Sequence, residues 1–461
     1  MKSLAMRISA VFLILLLLAG CAFSGPDSSD KLLNGVELID YTIVYSPDAP
    51  DYCKRAAEYI QKQIFTRTGL TLSVKQDISG TYEHEILVGK TDRELSAQIE
   101  STSTNMEFHF TADDNHIAMG GDYFIIAAAA YYFVETYIPD NTFDSVIAEK
   151  EITTCQPITE EANNVIFLIG DGMGFNHTKL PEAYDLEQVI SQQKLFGKDI
   201  ILESSDKENI FYGYYLPYQG ALRTDSLSGT TDSAASATAL ATGFKTINGY
   251  VGLDQRGTAL QSLTELAGTL GKASAIMSTE VQTGATPAGF SAHALDRDYS
   301  EEITEDQKKL SAEIGTIIEC GLHTNLQFEA NIAHTLNKLA KNENGFFLMY
   351  EEAYIDKNSH DNAMAKTVSC VARFNQAIGV FMEYAFYHPD TLVIITADHE
   401  TGSLTLEEDG LYWFKSGSHS SADVPIFAYG QGAEIFSDYY EENNEVPKEI
   451  AALWGIENFG S

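Results

Sequence analysis

Residues Asn164–Gly174 read NVIFLIGDGMG. Val165–Ile169 is a compact apolar run that ends in glycine and an acid, Gly170-Asp171-Gly172. A short, uninterrupted apolar run bounded by turn residues is the pattern of a strand covered on both faces. The same pattern recurs at Ala273–Met277, Gly345–Tyr350, Thr391–Thr396 and Val424–Tyr429. Helical patterns lie between the strands, as at Ile332–Lys341 and Ala363–Ala385. The alternation predicts an α/β fold over residues 163–461, a mainly parallel sheet with helices on both faces. In such sheets ligands bind outside the carboxyl ends of the strands.

The chain upstream has a different organisation. Residues 33–157 predict a small α/β domain. Val36–Tyr45, Leu70–Val74 and Glu85–Val88 read as strands. Cys53, Ala57, Ile60 and Ile64 mark one face of a helix that stops near Gly69. Phe108–Phe110 and His116–Met119 form a hairpin around Asp113-Asp114-Asn115, and Phe124–Thr136 is a very apolar helix. EILVGKTDRE and HIAMGGDYFIIAAAAYYFVETYI resemble the accessory domain that precedes the catalytic barrel of some glucuronidases and hexosaminidases. That implies a structural or presenting role without a catalytic set.

Lys2 and Arg7 precede an apolar stretch, Ile8–Leu18, too short to span a bilayer. It ends in Leu18-Ala19-Gly20-Cys21, which resembles the bacterial lipobox. Residues 1–20 are then a signal peptide, Cys21 is the lipidated first residue, and residues 21–32 are a tether. The implied location is extracytoplasmic, anchored to a bacterial membrane by two acyl chains. An ordinary signal peptide that happens to hold a cysteine is the alternative. The other cysteines, at 53, 155, 320 and 370, lack metal-site spacing and suit free thiols as well as bridges.

Apolar residues make up 44% of the 461, which suits a folded core. The net charge of −37 excludes nucleic acid as a general partner, since that needs a basic face. It also repels anionic substrates unless a local positive field overrides it.

The strand ends carry metal-ligand chemistry. Asp171 follows the first strand, and Thr286 lies in the loop after Ala273–Met277. Glu351 follows Phe346–Tyr350, with Asp356 and His360 close behind. Asp398 and His399 follow Val393–Thr396, and His419 precedes Val424. Zinc takes histidine and carboxylate ligands, magnesium takes oxygens. Taken singly, an Asp after a strand is a turn or cap residue, Glu351-Glu352 a solvated pair, and Asp356 with His360 an exposed helical pair. Their joint occurrence at one sheet edge points to bound cations. The remaining eight histidines lack this context.

Thr231–Gly249, TDSAASATALATGFKTING, places Ser233 between an acid and a run of very small residues. A helix starting here presents the Ser233 hydroxyl at its positive end, where an alkoxide or phosphate is favoured. A packing helix of small residues is the plainer alternative.

Together with ATPAGFSAHALDRD, GFFLMYEEAYIDKNSH, TLVIITADHETG and HSSADVPIFAYG, these segments resemble the alkaline phosphatase family, in the family's order, over most of residues 163–430. The resemblance implies that Ser233 is a nucleophile that becomes phosphorylated. It implies that Arg297 grips the non-bridging phosphate oxygens and that Asp232 orients it. Asp356, His360 and His419 match the ligands of one zinc, and Asp171, Asp398 and His399 those of a second. Asp171, Thr286 and Glu351 match a magnesium site. Two metals can clamp the attacking and leaving oxygens of an in-line displacement. Phosphate monoesters are then the substrates, and a homodimer is compatible with the resemblance.

Two departures stand out. Gly284 occupies a position where family members usually carry Asp or His, which puts the third cation in question; Gly284→Asp is expected to tighten magnesium. Lys357, after Asp356, matches the bacterial type, which lets it reach phosphate through water. The intervals from Arg297 to Glu351 and from Asp398 to His419 are short, so dimer contacts and pocket lids are not implied. A phosphodiesterase of the same superfamily is one alternative function, and a catalytically inactive glycan-binding lipoprotein another. Sulfatase is disfavoured, because no Cys-x-Pro-x-Arg motif is present.

Overall fold

A computed structural model describes residues 30–99, 106–122, 124–140, 142–148, 151–154, 162–185, 210–324, 327–408 and 410–461. The leader segment, Cys21, Cys155 and residues 158–161, between the two expected domains, lie outside them. The chain divides into two compact units. One comprises residues up to 100, 109–120 and 129–152, and the other 101–108, 121–128 and 153–461. No helix among the described residues is long and apolar enough to cross a membrane.

The first unit carries a six-stranded sheet. Its order is Ser73–Gln76, Tyr41–Tyr45, His84–Val88, His116–Gly120, Glu107–Ala112 and Glu151–Thr154. The first four run parallel, and the Glu107–Ala112/His116–Gly120 pair is the antiparallel hairpin. Its turn is set locally, because Asp113 accepts the N–H groups of Asn115 and His116 at 2.8 and 2.7 Å. Helix Asp51–Thr68 buries Cys53, Ala57, Ile60 and Ile64 and is stopped by Gly69 at φ 74°. Two expectations shift. The strand placed at Leu70–Val74 is Ser73–Gln76, with Leu70 and Leu72 buried in the connection ahead of it. Burial explained those leucines without a ladder. The run Val36–Tyr45 is broken by a 3₁₀ turn at Leu38–Asp40.

The second unit is built on eight strands. They are β1 (Asn164–Gly170), β2 (Tyr218–Arg223), β3 (Ala273–Ser278), β4 (Ile317–Glu319), β5 (Phe346–Glu352), β6 (Thr391–Thr396), β7 (Val424–Tyr429) and β8 (Tyr440–Glu442). Their order is β4-β3-β5-β1-β6-β7-β2-β8. Only β7 opposes the rest, pairing antiparallel with β6 and with β2. Every residue of β1, β5, β6 and β7 is buried. Both faces are therefore covered, as expected for a mainly parallel α/β sheet. Register brings the strand ends level, with Ile169 beside Glu351, Ser278 beside Glu351 and Ile169 beside Thr396.

Four helices position the chemistry-bearing side chains: α1 (Ser233–Thr242), α2 (Ala285–Gly289), α3 (Tyr354–His360) and α4 (Met364–Tyr387). Helix α1 starts where Asp232 caps the N–H of Ala235 at 2.9 Å and ends at Gly243 with φ 80°. All of α1 is buried. Its small side chains allow close packing: a Cβ on Gly289 of α2 would meet the Ala237 Cβ at 2.7 Å.

Candidate metal centre and nucleophile

Helix α3 turns off the end of β5 and places Asp356 and His360 one turn apart on one face. His419 arrives on the two-residue strand His419–Ser420, paired with Glu400–Thr401. The Nε2 atoms of His360 and His419 lie 3.3 and 3.5 Å from Asp356 Oδ1 and 3.1 Å from each other. Each ring directs Nδ1 to a backbone carbonyl at 2.8 Å, Gly417 for His360 and Thr231 for His419. In the neutral rings both Nε2 lone pairs therefore face the carboxylate, and only a proton or a cation can sit among them. Burial opposes ionisation of Asp356, but its bonds with His360 and His419 outweigh it and hold the group well below the usual carboxylate range. Its bond to His360 in turn lifts that ring to about 9.

A second triad lies behind β1 and β6. Asp398 Oδ1 accepts the N–H groups of Gly172 at 3.0 Å and His399 at 2.9 Å. His399 Nε2 stands 3.2 Å from Asp398 Oδ2 and 3.5 Å from Asp171 Oδ1. The ligand atoms of each triad all lie within 4.8 Å of one another. Burial pushes Asp398 up to about 7 and drives His399 down to about 3, so the ring is neutral. Burial, then the charge of Asp398, raises Asp171 well above its ordinary range. Gly172 makes this crowding possible. Its φ is +72°, and a Cβ would lie 2.9 Å from both Asp356 Cα and Thr401 Oγ1.

The third group follows from the register. Glu351 and Glu352 are adjacent on β5 and point to opposite faces. Both are fully buried, so they are not the solvated pair that residue type alone allowed. Glu352 pairs with Arg373 of α4, at 2.8 Å from Nε and 2.6 Å from an Nη. Glu351 Oε2 accepts from Ser278 of β3, and burial lifts the carboxyl to about 8.

Two buried oxygens here, Asp171 Oδ1 and Asp398 Oδ2, make no hydrogen bond, and Thr286 and Glu351 share at most one contact with each other. A buried polar atom without a partner is uncommon, and a bound ion or water is one way such an atom is satisfied. An oxygen-rich set beside mixed imidazole and carboxylate sets suits hard and borderline divalent cations. The residues present therefore fit bound metal ions.

Ser233 is buried at the first position of α1, with Oγ 3.2 Å from His399 Nε2. One turn on, Ser236 donates to the Asp398 carbonyl at 2.6 Å, tying α1 to the second triad. Asp232 accepts the Gly249 N–H at 3.0 Å and a guanidinium N–H of Arg297 at 3.2 Å. Arg297 is half-buried.

Three participants were passed over in sequence. Thr401 donates to Asp356 Oδ1 at 2.6 Å and lies 3.2 Å from His399 Nδ1. Its place two residues beyond His399, in a strand-like stretch, was the available signal. Arg373 carried no signal, since a helical arginine is ordinarily a surface residue. Glu280 follows the end of β3 as the other acids follow their strands, and it pairs with Lys357. Its side chain covers Gly284: a Cβ there would lie 2.6 Å from Glu280 Cδ and 2.7 Å from Cγ. The space that Gly284→Asp would use is thus already occupied by the Glu280 side chain, which such a substitution would have to displace.

The fold and these clustered donors define an α/β protein with two metal-ligand triads at the carboxyl edge of its sheet. The alkaline phosphatase family model matches residues 162–331 and 323–414. Alkaline phosphatase 3 of Bacillus subtilis (strain 168) is 29% identical over 325 residues, 58% of this chain and 68% of that protein. The Escherichia coli (strain K12) alkaline phosphatase is 25% identical over 350 residues, 54% of this chain and 72% of that protein. The alkaline phosphatase from the Antarctic bacterium TAB5 superposes with a TM-score of 0.53 at 26% identity, over 65% of this chain and 99% of that one. The chain belongs to the alkaline phosphatase family.

Proposed function

We propose that this protein hydrolyses phosphate monoesters through a phosphoserine intermediate. The observation that carries this is Ser233: a buried hydroxyl at a helix N-terminus, 3.2 Å from His399 in one donor triad, with Arg297 tied to the preceding Asp232.

Asp356, His360 and His419 would hold one zinc ion, and Asp171, Asp398 and His399 a second. Asp171, Thr286 and Glu351 would hold magnesium. When bound, these cations supply the positive charge that stabilises an ionised serine oxygen and a departing alkoxide. Ser233 Oγ attacks phosphorus, the ester P–O bond breaks on the opposite side, and the phosphoryl group rests on the serine. Water then attacks phosphorus, the bond to Oγ breaks, and inorganic phosphate leaves. Asp232 holds Arg297 so that its planar fork meets two free phosphate oxygens. That demand favours a monoester, because a diester has fewer free oxygens to offer. The dipole of α1 adds to the field at phosphorus.

The test is turnover of p-nitrophenyl phosphate against its bis ester, with metal analysis of wild type and Ser233→Ala. We expect about two zinc ions per chain, preference for the monoester, and loss of at least about a thousandfold in kcat in the variant. Full activity in Ser233→Ala, or preference for the bis ester, overturns the proposal. The lipobox-like segment supports an extracytoplasmic, lipid-anchored location. Fatty-acid labelling that persists in Cys21→Ser would refute it.

A further inference from the structure

The third cation group lacks an acid at Gly284, yet the chain supplies one from elsewhere. We propose that Glu280 is the outer carboxylate of that site, holding the hydration shell of a magnesium ion bound by Asp171, Thr286 and Glu351. This rests on the cation assignment above.

Three observations point the same way. The Glu280 side chain occupies the volume that a residue at 284 would otherwise fill, 2.6 Å from an added Cβ to Glu280 Cδ. Its backbone N–H donates to Ser278 Oγ at 2.8 Å, and that hydroxyl donates to Glu351 Oε2. Glu280 and Glu351 are thus joined through one side chain at the end of β3. Beside them Asp171 Oδ1 is buried without a hydrogen bond, and Thr286 and Glu351 face each other in the same buried oxygen set.

The chemistry suits magnesium more than zinc. Magnesium sheds its waters reluctantly and is held by a few carboxylates through the waters it keeps. A partly exposed carboxylate on the rim of a buried oxygen set can accept hydrogen bonds from those waters. The carboxylate is held by an ion pair with Lys357, the residue next to Asp356. Gly284 is then a requirement of this arrangement. A side chain there would displace the carboxylate of Glu280 from the position it holds.

The test is magnesium titration by calorimetry of zinc-loaded protein, with zinc content measured in parallel. In Glu280→Gln we expect magnesium affinity to fall about 10- to 100-fold, the range for outer-shell partners, with zinc content unchanged. The double variant Glu280→Ala/Gly284→Asp moves the acid across the vacated space and should recover most of that loss. Gly284→Asp alone should weaken magnesium. Unchanged affinity in Glu280→Gln, or tighter binding in Gly284→Asp alone, overturns the role of Glu280 while leaving the cation site standing. Wild-type protein that takes up zinc but no magnesium overturns the site itself.

Discussion

Thr401→Val removes one hydroxyl from the centre of the donor network and leaves its shape nearly intact. Thr401 is fully buried. Its O–H donates to Asp356 Oδ1 at 2.6 Å, so its oxygen is left to accept the Nδ1–H of His399 at 3.2 Å. The first bond aims a carboxylate of one triad; the second selects the tautomer that turns the His399 Nε2 lone pair toward Asp171 and Asp398. A hydrogen bond to a charged group is worth about 1.5–3 kcal/mol. At 1.36 kcal/mol per tenfold, that predicts zinc binding weaker by roughly 10- to 150-fold, in line with outer-shell substitutions elsewhere. The assay is competition for zinc against a chromophoric chelator, with Thr401→Ser as the control that keeps the hydroxyl. Valine should lose affinity at both triads and serine should recover most of it. Wild-type zinc affinity in Thr401→Val would refute the claim that one hydroxyl organises both triads.

Three further outcomes are expected. Gly172→Ala forces a Cβ to 2.9 Å from Asp356 Cα at φ +72°; the left-handed backbone alone costs about 1–2 kcal/mol, so zinc content and melting temperature should both fall, and normal values for both would count against the crowding described. In chelated protein, Glu351 at about 8 and Asp398 at about 7 sit above their ordinary 4.5 and 3.8. Below about pH 7 the depressed histidines His399, His177 and His323 act in the opposite sense; above it they are neutral in both states and the folded state binds more protons than the unfolded one, so melting temperature should drop as pH rises from about 7 to about 9, and metal addition should rescue it most at the alkaline end; a flat or rising profile in chelator over that range contradicts this. With cations bound the pocket carries a net charge of about +1 on a body of −37. At low ionic strength added salt should therefore raise kcat/KM for anionic esters by screening long-range repulsion, and a falling salt dependence would show that attraction dominates.

Much of the second unit could be read directly. Val165–Ile169, Ala273–Met277, Thr391–Thr396 and Val424–Tyr429 are mostly apolar because both faces are covered, so the strands announced themselves. The hairpin around Asp113 and the helix ending at Gly69 were legible for a local reason: each is set by a residue within one turn of it. Leu70–Val74 misled, since an apolar segment can be buried without joining a ladder. The acids that follow the strands were visible as residue types, and the order of the motifs supplied their grouping.

Residue identity thus settled the five most buried strands and which side chains stand at their ends, since hydrophobic pattern, capping and turn chemistry act over a few neighbours; the strands β2, β4 and β8 carry no such pattern and became visible only in the sheet. Tertiary structure decided the rest: that Glu352 turns to Arg373 while Glu351 faces the oxygens of Asp171 and Thr286, that Thr401 links two triads, and that Glu280 fills the volume over Gly284. Those relations depend on strand register and on ångström-scale approach between segments far apart in the chain. Local sequence carries no record of such distances.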